Sequence, residues 1–577
     1  MDRKRLSSLQ LSSKSIGKAL WGKAESSNAE SSTASTPRPQ VVEPPLLPTE
    51  ILRFIFELLW ESEPSSEDVQ NFRQSCRLFN EISLEYIYSD VVVSLNEGGS
   101  DSGSLAKLLK HSENTIAHIS RLQITGFPPA PRRSGFSSLR PSGKYGSDSR
   151  RTSRENLKTL LELLSPNKLT TFAINGRHIP ERIDRIPVSL LFGKHPNLRQ
   201  LCIPITLLFQ HGINTSEALG STAIPTFQSL ILTDLRYPRH ISDVWTLLRN
   251  SEDTLKSLAL KSPPDSDLEN FLIHRGRQGL TAGLPSTVLS LHNLQDLHLE
   301  GFPNIDKVFE DCAPNLVNLA NIRTLRLERC QQADAFLLAS LSVYRMPKLK
   351  SLQLIETGSN LALDGILPLI GSMKLETLML VLHAWEGRIN WQVIKEQLAG
   401  SLKRMWIEHL SSYHGPHDIL DMIDYEPPYT DAFFPHGWPE LEEIAIDPYV
   451  LEGNSIMIPQ NVKVCRIVGE TAREVVRRHQ PSSKNADKLL NFRNEEGAQT
   501  NLKVVALGTL DRPDIGKLIR HPFFYTVFSD PGQNRKSVSS RRSVTIDETA
   551  KKAPDSHILW LDRTDKPWSD KHGSFWS

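Results

Sequence analysis

A short spacing of apolar positions recurs along much of this chain. In Asn321–Cys330, Ile322, Leu325 and Leu327 are apolar and polar residues fill the gaps. The same apolar-x-x-apolar-x-apolar order holds at Leu294, Leu297, Leu299, at Leu349, Leu352, Leu354, and at Leu375, Leu378, Leu380. Copies follow one another at roughly 26 to 29 residues, the period of a solenoid built from short strands. One unit cannot bury its own apolar edge, but stacked units share a continuous core. Less regular copies precede these at Ile119/Leu122/Ile124, Leu169/Phe172/Ile174, Leu198/Leu201/Ile203, Phe227/Leu230/Leu232 and Leu255/Leu258/Leu260. Others follow at Leu402/Met405/Ile407, Leu441/Ile444/Ile446, Val462/Cys465/Ile467 and Leu502/Val505/Leu507. Between strands, Asp334–Tyr344 and Trp391–Leu398 carry helical spacing and predict an outer helical layer.

The pattern changes near the start. Leu47-Pro48-Thr49-Glu50 predicts a helix with proline in its first turn, followed by Ile51, Leu52, Ile55, Phe56, Leu58 and Leu59 at helical spacing. After a Glu-Ser-Glu-Pro-Ser-Ser break, Glu67–Glu81 carries a second stripe of Val69, Phe72, Cys76 and Phe79. Two or three helices in about 45 residues seldom fold well alone and need a neighbour.

Other stretches lack the apolar content to order themselves. Residues 1–40 are rich in Ser, Lys and Arg, and 128–154 combine Pro, Gly and Ser with a basic excess, so both predict disorder. Residues 413–439 form a long excursion between two repeats. Asp514–Phe528 reads as an amphipathic segment closing the core, and 529–577 as a flexible tail with a basic, serine-rich run at Arg535–Ser543. The resulting domain plan is 1–40 disordered, 41–95 helical module, 96–528 solenoid, and 529–577 tail.

Composition sharpens this picture by exclusion. With 577 residues and 39% hydrophobic side chains, the chain exceeds one compact domain. A formal net charge of +1 gives no global pull toward nucleic acid or membrane, and neither is expected as a partner. The five cysteines are odd in number and hold no Cys-x-x-Cys pair, which points to reduced thiols in the cytosol or nucleus. No apolar run approaches the ~18 residues of a membrane helix.

The stretch Leu47-Pro48-x-Glu50-Ile51-Leu52-x-x-Ile55-Phe56, followed by Ser75-Cys76-Arg77-Leu78-Phe79, resembles an F-box. It departs from the usual F-box in having Phe79 where tryptophan is common and a longer link at Glu61–Ser66. Together with the repeats it resembles the leucine-rich-repeat F-box proteins, particularly divergent fungal ones. That family often has Asn or Cys three residues past the last strand leucine. Here only Cys330 conforms, while Phe302, Thr357 and His383 do not. The resemblance implies an α/β fold in which a short helical F-box module precedes a leucine-rich-repeat horseshoe. It also implies docking on a Skp-type adaptor and a cullin through Leu47, Pro48, Ile51, Leu52, Ile55, Val69 and Phe72. An ordinary helical cap on the solenoid would carry the same stripe.

Catalytic signatures are missing from the sequence. There is no phosphate loop, no His-Glu-x-x-His, no Gly-x-Ser-x-Gly elbow and no paired cysteine ligands. His414 and His417 lack a third ligand at set spacing. Neither an enzyme nor a cofactor is expected. A solenoid instead offers a surface, because residues between the buried leucines alternate to the concave side. That column reads Cys202, Ile231, Ala259, His298, Arg326, Gln353, Met379, Trp406, Ala445, Arg466. Large apolar and guanidinium groups facing water there mark a binding surface, so His298, Arg326, Met379 and Trp406 are the candidate contacts with a target protein. The functional expectation is a substrate-recognition subunit of a ubiquitin ligase; a non-catalytic interaction scaffold is the alternative.

Overall fold

The computed structural model describes the runs 48–61, 66–75, 77–94, 113–125, 157–175, 188–209, 222–263, 291–302, 319–344, 346–355, 373–382, 391–409, 438–446, 461–468, 501–507, 523–529 and 536–538, with a few single residues between them. The expected disorder at 1–40 and 128–154, residue Leu47, His414 and His417, and the body of the 413–439 excursion lie outside the described residues.

The protein is a mixed α/β chain organised on one open sheet. Three helices come first: α1 (Thr49–Glu61), α2 (Ser66–Ser75) and α3 (Arg77–Ile87). Of the two or three helices expected here there are three, the second apolar stripe being carried by α2 and α3. Strands then follow in chain order. They are β1 (Asp90–Ser94), β2 (Arg121–Thr125), β3 (Thr171–Asn175), β4 (Gln200–Pro204), β5 (Ser229–Thr233), β6 (Ser257–Lys261) and β7 (Asp296–Glu300). After these come β8 (Thr324–Glu328), β9 (Ser351–Ile355), β10 (Thr377–Leu382), β11 (Arg404–His409), β12 (Glu443–Ile446), β13 (Val464–Ile467) and β14 (Val504–Leu507). Each pairs only with its sequence neighbours, and β1 through β14 run parallel. Two antiparallel strands, β15 (Phe523–Ser529) and β16 (Lys536–Val538), close the series. Thus the segment expected to end the core amphipathically contains a strand, and the stretch expected to be a flexible tail contributes β16. At the other end, β1 falls inside 41–95, the span assigned to the helical module.

Every apolar triad from Ile119 onward lands on a strand, because the pairing register keeps the triads in columns. Leu297, Leu325, Leu352, Leu378 and Met405 are mutual neighbours across β7–β11, as are Leu299, Leu327, Leu354, Leu380 and Ile407. These residues, with the apolar residue that precedes each strand, form one continuous core. Helices α4 (Pro238–Leu248), α5 (Ala333–Tyr344) and α6 (Trp391–Leu398) join the same core through Leu247, Leu337 and Leu398. The helices therefore cover the leucine face of the sheet.

Polar ties between units supplement the leucines. Side-chain amides of Asn197, Asn293 and Asn321 donate to the carbonyls of Asn167, Asp253 and His292 in the preceding unit, at 3.2, 2.7 and 2.7 Å, and Asn461 does the same to Pro439. Cys330 Sγ donates to the carbonyl of Leu299, one strand back, at 3.3 Å. Chain reversal after several strands uses left-handed backbone: φ is 61° at Asp234, 73° at Gly301 and 53° at Arg329, each the residue after a strand. At Gly301 a Cβ would meet the Ser262 carbonyl oxygen at 2.2 Å, so glycine is required for the approach as well as the dihedral.

Candidate functional site

Two regions hold the residues that the sequence marks for binding. The first is the helical region. Leu52, Phe56 and Ile82 are buried in a small core of its own, with Leu59, Phe72, Leu78, Phe79 and Tyr86 packed on it. Its centre is aromatic: the Phe56 ring lies 4.7 Å from Phe72 and 5.0 Å from Tyr86, and Phe72 stacks on Phe79 at 4.2 Å. This core holds one face of α1 and leaves the other outside. Ile51 is 46% exposed, Phe54 57%, Ile55 37% and Leu58 51%. Trp60, further along the helix, is also exposed, and so is Pro48 at its start.

The candidate adaptor contacts therefore separate. Ile51, Ile55 and Pro48 are at the surface, Val69 is half-buried, while Leu52 is buried and Phe72 packs on the core. Leu52 faces inward because it lies one helical turn from Phe56, and the two side chains share the same buried face. Phe54 and Leu58 belong to the exposed face and were absent from the expected set. The signal was in the sequence, since eight of the ten residues from Ile51 to Trp60 are hydrophobic, more than one core-facing stripe requires.

The second region is the sheet face opposite the leucines. Alternation places His298, Arg326, Gln353, Met379, Trp406, Ala445 and Arg466 there as cross-strand neighbours, as the spacing predicts. Solvent exposure does not follow. His298, Met379 and Trp406 are each 1% exposed, and Arg326 is half-buried. The expectation that Met379 and Trp406 face water is corrected: they form an apolar cluster with Ile355, Val381, Ala445 and Val468. The Arg466 guanidinium sits over the Trp406 ring, 4.7 Å from its centroid, and the indole Nε1 donates to Glu408 at 3.2 Å. A second apolar cluster, Ala173, Cys202, Ile231 and Ala259, lies toward the start of the sheet.

Between these clusters the face is charged. Arg326 donates through Nη2 and Nε to Glu328 at 2.7 and 3.1 Å, Lys261 pairs with Glu300 at 3.0 Å, and Arg329 also pairs with Glu300. His298 Nε2 lies 3.4 Å from Glu328. Burial, aided by Lys261, pushes the His298 imidazole down to about 4, so it is neutral at physiological pH. Burial works to raise Glu328, but Arg326 and His298 override it and hold the carboxyl well below the usual range. His298, Glu300 and Glu328 bring potential ligand atoms within 4.8 Å of one another. Lys261, Arg326 and Arg329 already neutralise those carboxylates, so a divalent cation would enter against three positive side chains. The cluster is built as an ion-pair network.

The three cysteines among the described residues are also unreactive. Cys202 and Cys330 are pushed up to about 12 by burial and Cys465 is buried, so none is poised as a nucleophile. No helix among the described residues is long and apolar enough to cross a membrane. In the comparisons with known proteins, no protein-family model and no curated protein matches the chain.

Proposed function

We propose that this chain is the substrate-recognition subunit of a ubiquitin ligase of the SCF type, with α1–α3 as an F-box and the strand array as a leucine-rich-repeat horseshoe. In this reading the helical module docks on a Skp-type adaptor and through it on a cullin, and the array holds a target protein within reach of a ubiquitin-charged enzyme. The chain itself supplies no catalysis. The observation that carries the reading is the two-faced α1. Leu52 and Phe56 anchor it inward, while Ile51, Phe54, Ile55 and Leu58 stand exposed on the other side, within the stretch that resembles an F-box. Four large apolar side chains left in water on one short helix mark an interaction site, because burying each stabilises a complex by about 1.5–3 kcal/mol. Repeats of strand and connection stacked in chain order supply the second half of the reading, since such arrays serve as extended binding surfaces.

Co-purification tests this. The tagged full chain should bring down a Skp-type adaptor and a cullin in near-equal amounts. Recovery of a target protein with neither would leave an interaction scaffold in place of a ligase receptor.

A further inference from the structure

The residue immediately before each strand occupies the same place in successive units, and the backbone fixes this. From Thr170 to Lys503, the N–H of each such residue donates to the carbonyl of its equivalent one unit back, at 2.7 to 2.9 Å throughout. The side chains on this ladder are thus held in line, one strand spacing of about 4.8 Å apart. Read from Arg199, the line runs Arg199, Gln228, Lys256, Gln295, Arg323, and then Lys350, Glu376, Lys403, Glu442, Lys463, Lys503.

Its two halves are built differently. In the second half acids stand between the cations: Glu376 bridges Lys350 and Lys403, and Glu442 pairs with Lys463 at 3.0 Å. In the first half glutamines stand in the acids' place. Arg199, Lys256 and Arg323 are exposed, and none is in an ion pair among the described residues. Among the described residues, the acids close by are Glu252 and Asp253 ahead of Lys256, and Asp296, whose carboxyl is raised by burial against the pull of Thr324 and Arg323. Lys168 and Lys348 add charge at the two ends, so cations outnumber acids among the described residues along the strip.

We infer that Arg199, Lys256 and Arg323 form a docking strip for an extended acidic peptide segment carrying a carboxylate or phosphate at every third residue. Cations on every second strand are about 9.6 Å apart. A polyproline II helix advances about 3.1 Å per residue with three residues per turn, so every third side chain lies on one face about 9.3 Å from the last. The two periods match across three cations. Such a peptide has no internal hydrogen bonds, and the amides of Gln228 and Gln295 lie between the cations, where its backbone groups would pass. This surface is separate from α1, and the inference stands or falls without regard to adaptor docking.

Fluorescence anisotropy on the full chain tests it, with a labelled peptide of four Pro-Pro-Glu triplets as probe. Binding should be at least about tenfold tighter than to the Pro-Pro-Gln peptide, and about fivefold tighter than to an isomer with its four glutamates consecutive. The same peptide with phosphoserine for glutamate separates the two anion sources: whichever binds more tightly names the natural group. Combined Arg199→Gln, Lys256→Gln and Arg323→Gln should lose about tenfold, and Lys256→Gln alone about threefold. Lys463→Gln, whose cation is already paired, should lose nothing. Equal binding of the consecutive isomer or of a single-stranded RNA of equal charge would reduce the strip to general electrostatics and overturn the inference. An unchanged triple variant would overturn it as well.

Discussion

Helix α1 and the strand that holds Trp406 both carry large apolar side chains, and each reads from sequence as a binding surface. They end in opposite environments. On α1, Ile51, Phe54, Ile55 and Leu58 keep a third to more than half of their surface in water, while Met379 and Trp406 keep almost none. The difference lies in what each residue is tied to. Trp406 has Arg466 over its ring, Glu408 on its indole and Met379 and Ala445 on the neighbouring strands, so its contacts are complete within the chain. Among the described residues, the outer face of α1 has no such set, because Leu52 and Phe56 face the helices' own small core. Large apolar side chains on one face of a helix or a strand therefore identify a buried or a binding face without saying which.

Substitutions can break this contrast, beginning with Trp406. Trp406→Ala should destabilise the fold by about 3–5 kcal/mol, as large-to-small changes in packed cores do, whereas Phe54→Ser should leave the melting temperature nearly unchanged. Equal melting of the two variants would erase the distinction between the regions. Next in size is Gly301→Ala. It must hold a left-handed φ while its Cβ meets the Ser262 carbonyl, and should cost about 1–3 kcal/mol in chemical denaturation.

Acid should act on the sheet and spare α1. His195 and His298 are both depressed to about 4 from an unfolded value near 6.5, chiefly by burial. The unfolded chain therefore binds more protons between those values. Stability contributed by the two neutral imidazoles is full above pH ~6.5 and is lost as pH falls toward ~4. Denaturation midpoints measured from pH 7 to 4.5 should decline less in a His195→Gln, His298→Gln double variant than in wild type. The smallest effect expected is at Arg326. Its half-buried pair with Glu328 predicts a loss of about 1 kcal/mol on change to Met, well short of Trp406→Ala.

Strands were the most legible feature. The triads repeat with a single residue, of either polarity, between the second and third apolar positions, and that spacing fixes which residues face the core. The strand β1 escaped because Asp90–Ser94 carries three consecutive valines and no triad. Exposure was the least legible feature, for a reason visible at His298 and Trp406. Alternation tells which side of a sheet a residue stands on, but the side chains that surround it come from other strands. The asparagine ties were hidden in another way. Asn293 and Asn321 sit just before the first apolar residue of a triad, not after the last, where the family places its polar ladder.

The proposed function requires the outward face of α1 to dock an adaptor. Isothermal titration of a purified Skp-type adaptor into the full chain and into Ile55→Asp tests it directly. Ile55 lies outside the small helical core, so the variant should melt like wild type, while a carboxylate placed in an apolar interface should weaken binding by more than about a hundredfold. Equal affinity of the folded variant, or no binding by wild type at all, would rule out adaptor docking through this face.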